Sequence, residues 1–140
     1  MARTYASQEF CPIARTLDIV GDRWTLLVLR DISLGHTRYN EILGSCTGIS
    51  TNLLSDRLKK LEDQGFVERA FYRDHPPRAE YRLTEKGRSL FPVLYAMGDW
   101  GAEYLFDGEP ELRDAVVTFI ESRVPEYRRM KEMTARSEGE

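Results

Sequence analysis

The densest chemistry in this sequence lies in Ser50-Thr51-Asn52-Leu53-Leu54-Ser55-Asp56-Arg57-Leu58-Lys59-Lys60-Leu61-Glu62-Asp63-Gln64. Wound at about 100° per residue, the segment puts Leu54, Leu58 and Leu61 on one face and Asn52, Ser55, Asp56, Lys59 and Asp63 on the other. Thr51, Asn52 and Ser55 fall in the first turns, beside Ser50 at the cap. Asn pairs bidentately with adenine, Ser with donors or acceptors, and a lysine such as Lys59 reaches a guanine edge or a phosphate. Any surface helix has a polar outer side, so this pattern carries weight only through its neighbours.

Those neighbours are basic. Arg73-Asp74-His75-Pro76-Pro77-Arg78 reads as a rigid, proline-locked tip whose Arg73, His75 and Arg78 suit phosphate contacts or entry into a narrow minor groove. As a bare sequence it is equally an ordinary solvated turn. Arg38 follows Thr37 at the start of another helical pattern, where free backbone N–H groups help clamp a phosphate. Lys60 joins this phosphate set, and Arg57 fits either a phosphate or an internal carboxylate.

Enzyme chemistry finds no such support. There is no Gly-rich phosphate loop, Gly-x-Ser-x-Gly or His-Glu-x-x-His. Two cysteines and two histidines make neither a disulfide framework nor a structural metal site. No cofactor and no metal are therefore expected. Cys11 stands at a helix opening with Arg15 one turn on, where the dipole favours a thiolate. It reads either as a redox switch or as a small buried apolar residue, whereas Cys46 falls on an apolar helix face.

The elements that must position these groups follow from spacing. A short helix is expected over Pro12–Val20, with Ile13, Leu17 and Val20 in phase. Asp22 caps a second that carries Trp24, Leu27, Val28 and Ile32 and closes at Gly35. Thr37 is expected to cap a third with Tyr39, Ile42, Leu43 and Cys46. The short link Thr47-Gly48-Ile49 then leads to the Ser50–Gln64 helix, which makes a helix-turn-helix. After Gly65, Phe66–Tyr72 and Ala79–Leu83 read as strands of a hairpin. A long helix is expected from Thr84 to about Phe106, with Leu90, Leu94, Met97, Trp100 and Tyr104 in phase and a kink at Pro92. A last helix opens near Pro110 with Leu112, Val116, Phe119 and Ile120, and the polar chain from about Pro125 is expected to be a flexible tail, with Tyr127 and Met130 leaving a helical extension open.

The chain has 140 residues, 41% hydrophobic and 31% charged, with net charge −3. That suits one compact domain, and no apolar run is long enough for a membrane helix. With no leader-like apolar stretch at its start, the cytoplasm is the default compartment. The charge is unevenly placed: residues 38–88 hold ten Lys/Arg against eight Asp/Glu, and the rest hold ten against fifteen. An acidic total thus coexists with a mildly basic working surface.

Cys11-Pro12, Gly21-Asp22-Arg23-Trp24, Gly35-x-x-Arg38-Tyr39-Asn40-Glu41-Ile42, Gly48-Ile49-Ser50, Leu54–Glu62, Gly65-Phe66-Val67, Pro76-Pro77 and Glu80-Tyr81-x-Leu83-Thr84-x-x-Gly87 occur in order. Together they resemble the HxlR-type transcriptional regulators from Cys11 to about Trp100. Tyr39 stands where many members have Phe. The resemblance implies a bacterial winged helix-turn-helix that is mainly α with a small β-hairpin, homodimeric through terminal helices, and bound to double-stranded operator DNA. Some members use a cysteine at the place of Cys11 to sense oxidants or electrophiles. The expected boundaries are an arm at 1–10, the winged domain with its long helix at 11–106, an additional helix at 107–124 and the tail at 125–140, the last two being an extension that the family pattern does not explain.

Dimerisation also has a physical basis. Leu94, Met97, Trp100, Tyr104, Phe106, Val116, Phe119 and Ile120 exceed what a small winged domain covers, and leaving several wet costs several kcal/mol at ~25 cal/mol per Å². Ile13 and Leu17 of the first helix extend this set. The other reading is that both C-terminal helices simply cover the monomer's own core. The resulting expectation is a DNA-binding repressor with an oxidant or small-molecule effector. The alternative is a winged helix that binds only protein, which would expose apolar side chains on its wing.

Overall fold

The computed structural model describes residues 6–74, 77–123 and 125–139. After a 3-10 turn at Ala6–Gln8 come α1 (Pro12–Val20), α2 (Thr25–Ser33), α3 (Tyr39–Ser45) and α4 (Thr51–Asp63). The antiparallel hairpin of β1 (Val67–Asp74) and β2 (Pro77–Leu83) follows, then α5 (Glu85–Arg88), α6 (Phe91–Tyr104), α7 (Pro110–Arg123) and α8 (Pro125–Glu138). Helix, turn, helix and wing thus stand in the expected order.

Apolar periodicity accounts for the packing of the first half. Val28, Leu29 and Ile32 of α2 meet Ile42 of α3 and Cys46 at its C-cap, Leu54, Leu58 and Leu61 of α4, and Phe66 and Val67 at the root of the wing. The turn between α3 and α4 needs Gly48, whose φ of 95° is costly for a side-chain-bearing residue. Gly87 has a different reason: a Cβ there would lie 2.1 Å from the Phe66 carbonyl oxygen. Asp31 is a fully buried carboxylate in the apolar stretch of α2. It is satisfied by Arg30 Nη2 at 2.8 Å and by the Cys46 thiol, whose Sγ lies 3.0 Å away. Burial first, and then the Asp31 carboxylate, push that thiol up to about 12, which makes Cys46 a packing residue with negligible thiolate at neutral pH.

The wing is a two-stranded sheet extended by a bridge. Val67 pairs with Leu83 and Phe71 with Ala79, while the register shifts between Phe71 and Arg73 and leaves Tyr72 as the extra residue of a bulge. Arg38 bridges Glu80, and the Tyr81 N–H donates to the Thr37 carbonyl at 2.8 Å. The segment before α3 therefore docks on β2, so Arg38 rather than Thr37 is the N-cap, and Glu41 accepts its N–H at 3.1 Å.

The second half departs from expectation in three places. The long helix with a kink at Pro92 is two helices: α5 ends at Arg88 and α6 starts at Phe91. A proline ring crowds the carbonyl four residues back and lacks an N–H, so Pro92 sits where neither matters, in the first turn of a new helix. Residues 125–138, expected as a flexible tail, are helical, and Tyr127 is buried against Phe91 and Tyr95. Its hydroxyl donates to Asp99 Oδ1 at 2.5 Å. Finally, Leu94 and Ile120 pack within the chain, against the cores, instead of standing free for a partner. No described helix is long and apolar enough to cross a membrane.

Candidate nucleic-acid interface

The outer edge of α4 is built from its start. Ser50 accepts the Leu53 N–H on its Oγ at 3.2 Å, which fixes the first turn. With Leu54 and Leu58 buried, Thr51, Asn52 and Ser55 are turned out and exposed. From α3, Tyr39 places its hydroxyl 2.9 Å from the Thr51 carbonyl and 3.3 Å from Ser55 Oγ. One turn further, Lys59 pairs with Asp63 at 3.4 Å and Lys60 with Asp56 at 3.2 Å. Such exposed pairs are weak, so both ammonium groups stay available to a phosphate.

Arg57 does not belong to this outer face. Its side chain is 19% exposed and its Nε donates to Asp22 Oδ2 at 2.8 Å, with Nη1 on Asp56 at 2.5 Å. Of the two readings open for Arg57, its contacts fit the internal carboxylate, since Nε and Nη1 are taken up by Asp22 and Asp56. Asp22 serves two elements, since it also accepts the Trp24 N–H at 3.0 Å and the Thr25 hydroxyl at the start of α2. Burial by itself raises the Asp22 carboxyl; the bonds from Thr25, Trp24 and Arg57 outweigh that and hold it below the ordinary carboxylate value.

Beside α4, the start of α3 and the wing enclose an open groove of ≈ 590 Å³ lined by Arg38, Tyr39, Asn40, Arg69, Tyr72 and Arg78, among others. The Arg38 guanidinium stacks 4.4 Å from the Tyr72 ring and reaches Glu80 at 3.4 Å. Arg69 lies over Phe71 at 5.7 Å and pairs with Glu62 at 2.8 Å. Arg78 is exposed on β2. The side chain of Arg73, and His75 altogether, lie outside the described residues. The structure thus brings Arg38, Arg78, Thr51, Asn52 and Ser55 to one side of the molecule's helix-turn-helix and wing. Asn40, Arg69, Tyr72 and the Tyr39 hydroxyl were missed in the sequence. The bulge that frees Tyr72 has no sequence signature here, whereas the Tyr at position 39 was itself a visible signal for the hydroxyl.

The HxlR-like helix-turn-helix family matches residues 19–109, well over half of the chain. This chain belongs to that family. It is 39% identical over 101 residues to the HTH-type transcriptional regulator sll1512 of Synechocystis sp., across 72% of this chain and 75% of that one. Among solved structures, the transcription factor PA1607 aligns with a TM-score of 0.64 at 42% identity, over 71% of this chain and 69% of that one. The redox regulator HypR in its oxidised form aligns with a TM-score of 0.59 at 39% identity, over 66% and 96%. The fold expected for an HxlR-like chain is therefore the observed one, and the matched segment contains the whole α3–α4–wing unit.

At the other end of this HxlR-like chain, the residues expected to dimerise divide. Ile13, Leu17, Met97, Trp100, Tyr104, Val116 and Phe119 are exposed, whereas Leu94 and Ile120 are half-buried inside. Cys11 is half-buried as the N-cap of α1, its Sγ 3.5 Å from the Ala14 N–H. Among the described residues no His, Cys, Asp and Glu cluster could hold a metal ion.

Because Asp22 holds α2 and α4 together, Asp22→Ala is expected to cost about 1–3 kcal/mol at neutral pH. The Asp22 contribution is complete above the unfolded carboxyl pKa of about 3.9 and fades as pH falls through the lower folded value. Denaturant titrations of both proteins should therefore converge in strong acid. A gap that stays constant down to that range contradicts the assignment.

Proposed function

We propose that this chain is a homodimeric, sequence-specific DNA-binding repressor. The observation that carries the reading is the exposed Thr51–Asn52–Ser55 edge at the start of α4, flanked by the groove that holds Arg38 and Arg78. A helix presented by its N-terminal turns beside a wing enters the major groove, and the flanking arginines and Lys59 or Lys60 fix its register on phosphates. Regulation of transcription is also what the names of the HxlR-like relatives state.

One observation favours the protein-binding alternative: Phe71 and Tyr72 are 59% and 47% exposed on the wing. Each, however, lies beneath an arginine, Arg69 or Arg38, so the rings serve as platforms for guanidinium groups. Asn52→Ala separates the readings. It should weaken binding to a selected site by about 1–3 kcal/mol and affect random DNA far less. Equal loss on both removes Asn52 from base readout, and no loss on either favours the protein-binding module.

For the dimer, the support is an apolar surface on α6. Met97 and Trp100 are 56% and 60% exposed there, along a groove of ≈ 700 Å³ with Pro92, Val93 and Ala96. To read two half-sites, a two-fold pair that covers them must hold its copies of α4 one turn of DNA, about 34–36 Å, or a multiple apart. Trp100→Glu should yield a monomer in sedimentation equilibrium; a dimer of wild-type affinity contradicts this placement.

Release of DNA on oxidation is supported by the position of Cys11 at the N-cap of α1, the helix that carries exposed Ile13 and Leu17, and by the resemblance to a redox regulator. A modified thiol there would disturb the terminal helices and misalign the two readers. Oxidant or quinone should release wild type from DNA but not Cys11→Ser. Equal release of both rules the thiol out.

A further inference from the structure

The Tyr39 hydroxyl has a proton count that constrains what α4 can read. Its oxygen lies 2.9 Å from the Thr51 carbonyl oxygen and 3.3 Å from Ser55 Oγ. A phenol has one proton to donate, and a carbonyl only accepts. The Tyr39 proton therefore goes to Thr51. The Ser55 hydroxyl must then supply the proton of the second contact, donating to the Tyr39 oxygen. What remains on the exposed side of Ser55 Oγ is a pair of lone pairs.

Resting on the DNA-binding reading above, we propose that Tyr39 makes Ser55 an acceptor-only contact, so that α4 selects a base bearing an exocyclic amino group where Ser55 meets the major groove. The donors that fit are adenine N6 and cytosine N4. Guanine N7 and O6, adenine N7 and thymine O4 are acceptors and would meet Ser55 lone pair to lone pair. A phosphate oxygen has no proton either, so Ser55 cannot hold the backbone without giving up its bond to the Tyr39 oxygen. Left alone, a serine hydroxyl rotates to suit donor or acceptor and discriminates poorly. Here the buried leucines and the Ser50 cap set the rotation of α4, and the phenol sets the hydroxyl upon it. Tyr39 is thus a positioning residue for specificity, although it need not touch DNA.

The test begins with selection of a binding site from random duplexes by the full wild-type chain. Each adenine and cytosine of that site is then replaced singly by purine or 2-pyrimidinone, which lack only the amino group. At one position the deletion should weaken wild type roughly three- to tenfold, the range of one neutral hydrogen bond, and leave Ser55→Ala unchanged. At that position Tyr39→Phe, which keeps the ring in the core, should show a smaller penalty than wild type for adenine→guanine or cytosine→thymine. Both exchanges turn a donor into an acceptor. If no amino deletion couples to Ser55, or if the Tyr39→Phe penalty equals that of wild type, the proposal is overturned while DNA binding stands. A wild-type chain that enriches no sequence overturns the DNA-binding reading and this inference together. The analogue series with wild type and Ser55→Ala decides the amino preference even if Tyr39→Phe does not fold.

Discussion

Everything on the working side of this molecule depends on Leu54, Leu58 and Leu61 being buried against α2 and α3. At about 1.5–3 kcal/mol for each leucine withdrawn from water, that stripe dictates the rotation of α4 about its axis. A turn by one residue, about 100°, would expose it. Asn52 and Ser55 face outward because the leucines cannot. The smaller contacts act on a helix already oriented. Ser50 closes its first turn, Tyr39 ties that turn to α3, and the Asp22–Arg57 pair ties its flank to the start of α2.

Charge on this surface is sorted by burial. Arg30 and Arg57 sit on carboxylates, Asp31 and Asp22, that lie in or near the core, where a broken pair leaves an uncompensated charge. They serve the fold. Arg38, Lys59 and Lys60 are themselves well exposed, where an ion pair contributes little and a phosphate can take its place with release of counterions. A chain of net charge −3 can then present cations locally. Aromatic rings on the wing help to hold the guanidinium groups in place.

The first half of the fold was readable because its signals are local. Leucine spacing, the Ser50 cap, Gly48 and the hairpin residues each act within a few positions, and they agree with one another. The second half was readable only in part: the Thr84 cap and the helix opening at Pro110 stand where expected, whereas the rest is set by contacts distant in sequence. Tyr127 is compatible with a helical extension of the polar tail, but nothing near it in the sequence reveals that it completes a cluster with Phe91 and Tyr95. Pro92 announced a disturbance, but whether a helix bends or restarts depends on the residues around it, here Ser89 and Leu90. At the interface, outward-facing polar residues followed from periodicity alone. Arg57 was open to either use because Asp22, its partner, lies in a separate element, 35 positions away in the chain.

The central claim, that the outer edge of α4 enters a duplex, is tested most directly by following backbone amide resonances of the full chain as a selected operator is added. The account requires the largest shifts at Thr51, Asn52 and Ser55, with companions at Arg38 and Arg78, and little change at Leu58 and Leu61. Shifts confined to α6 and α7, with the start of α4 unmoved at saturation, would contradict it.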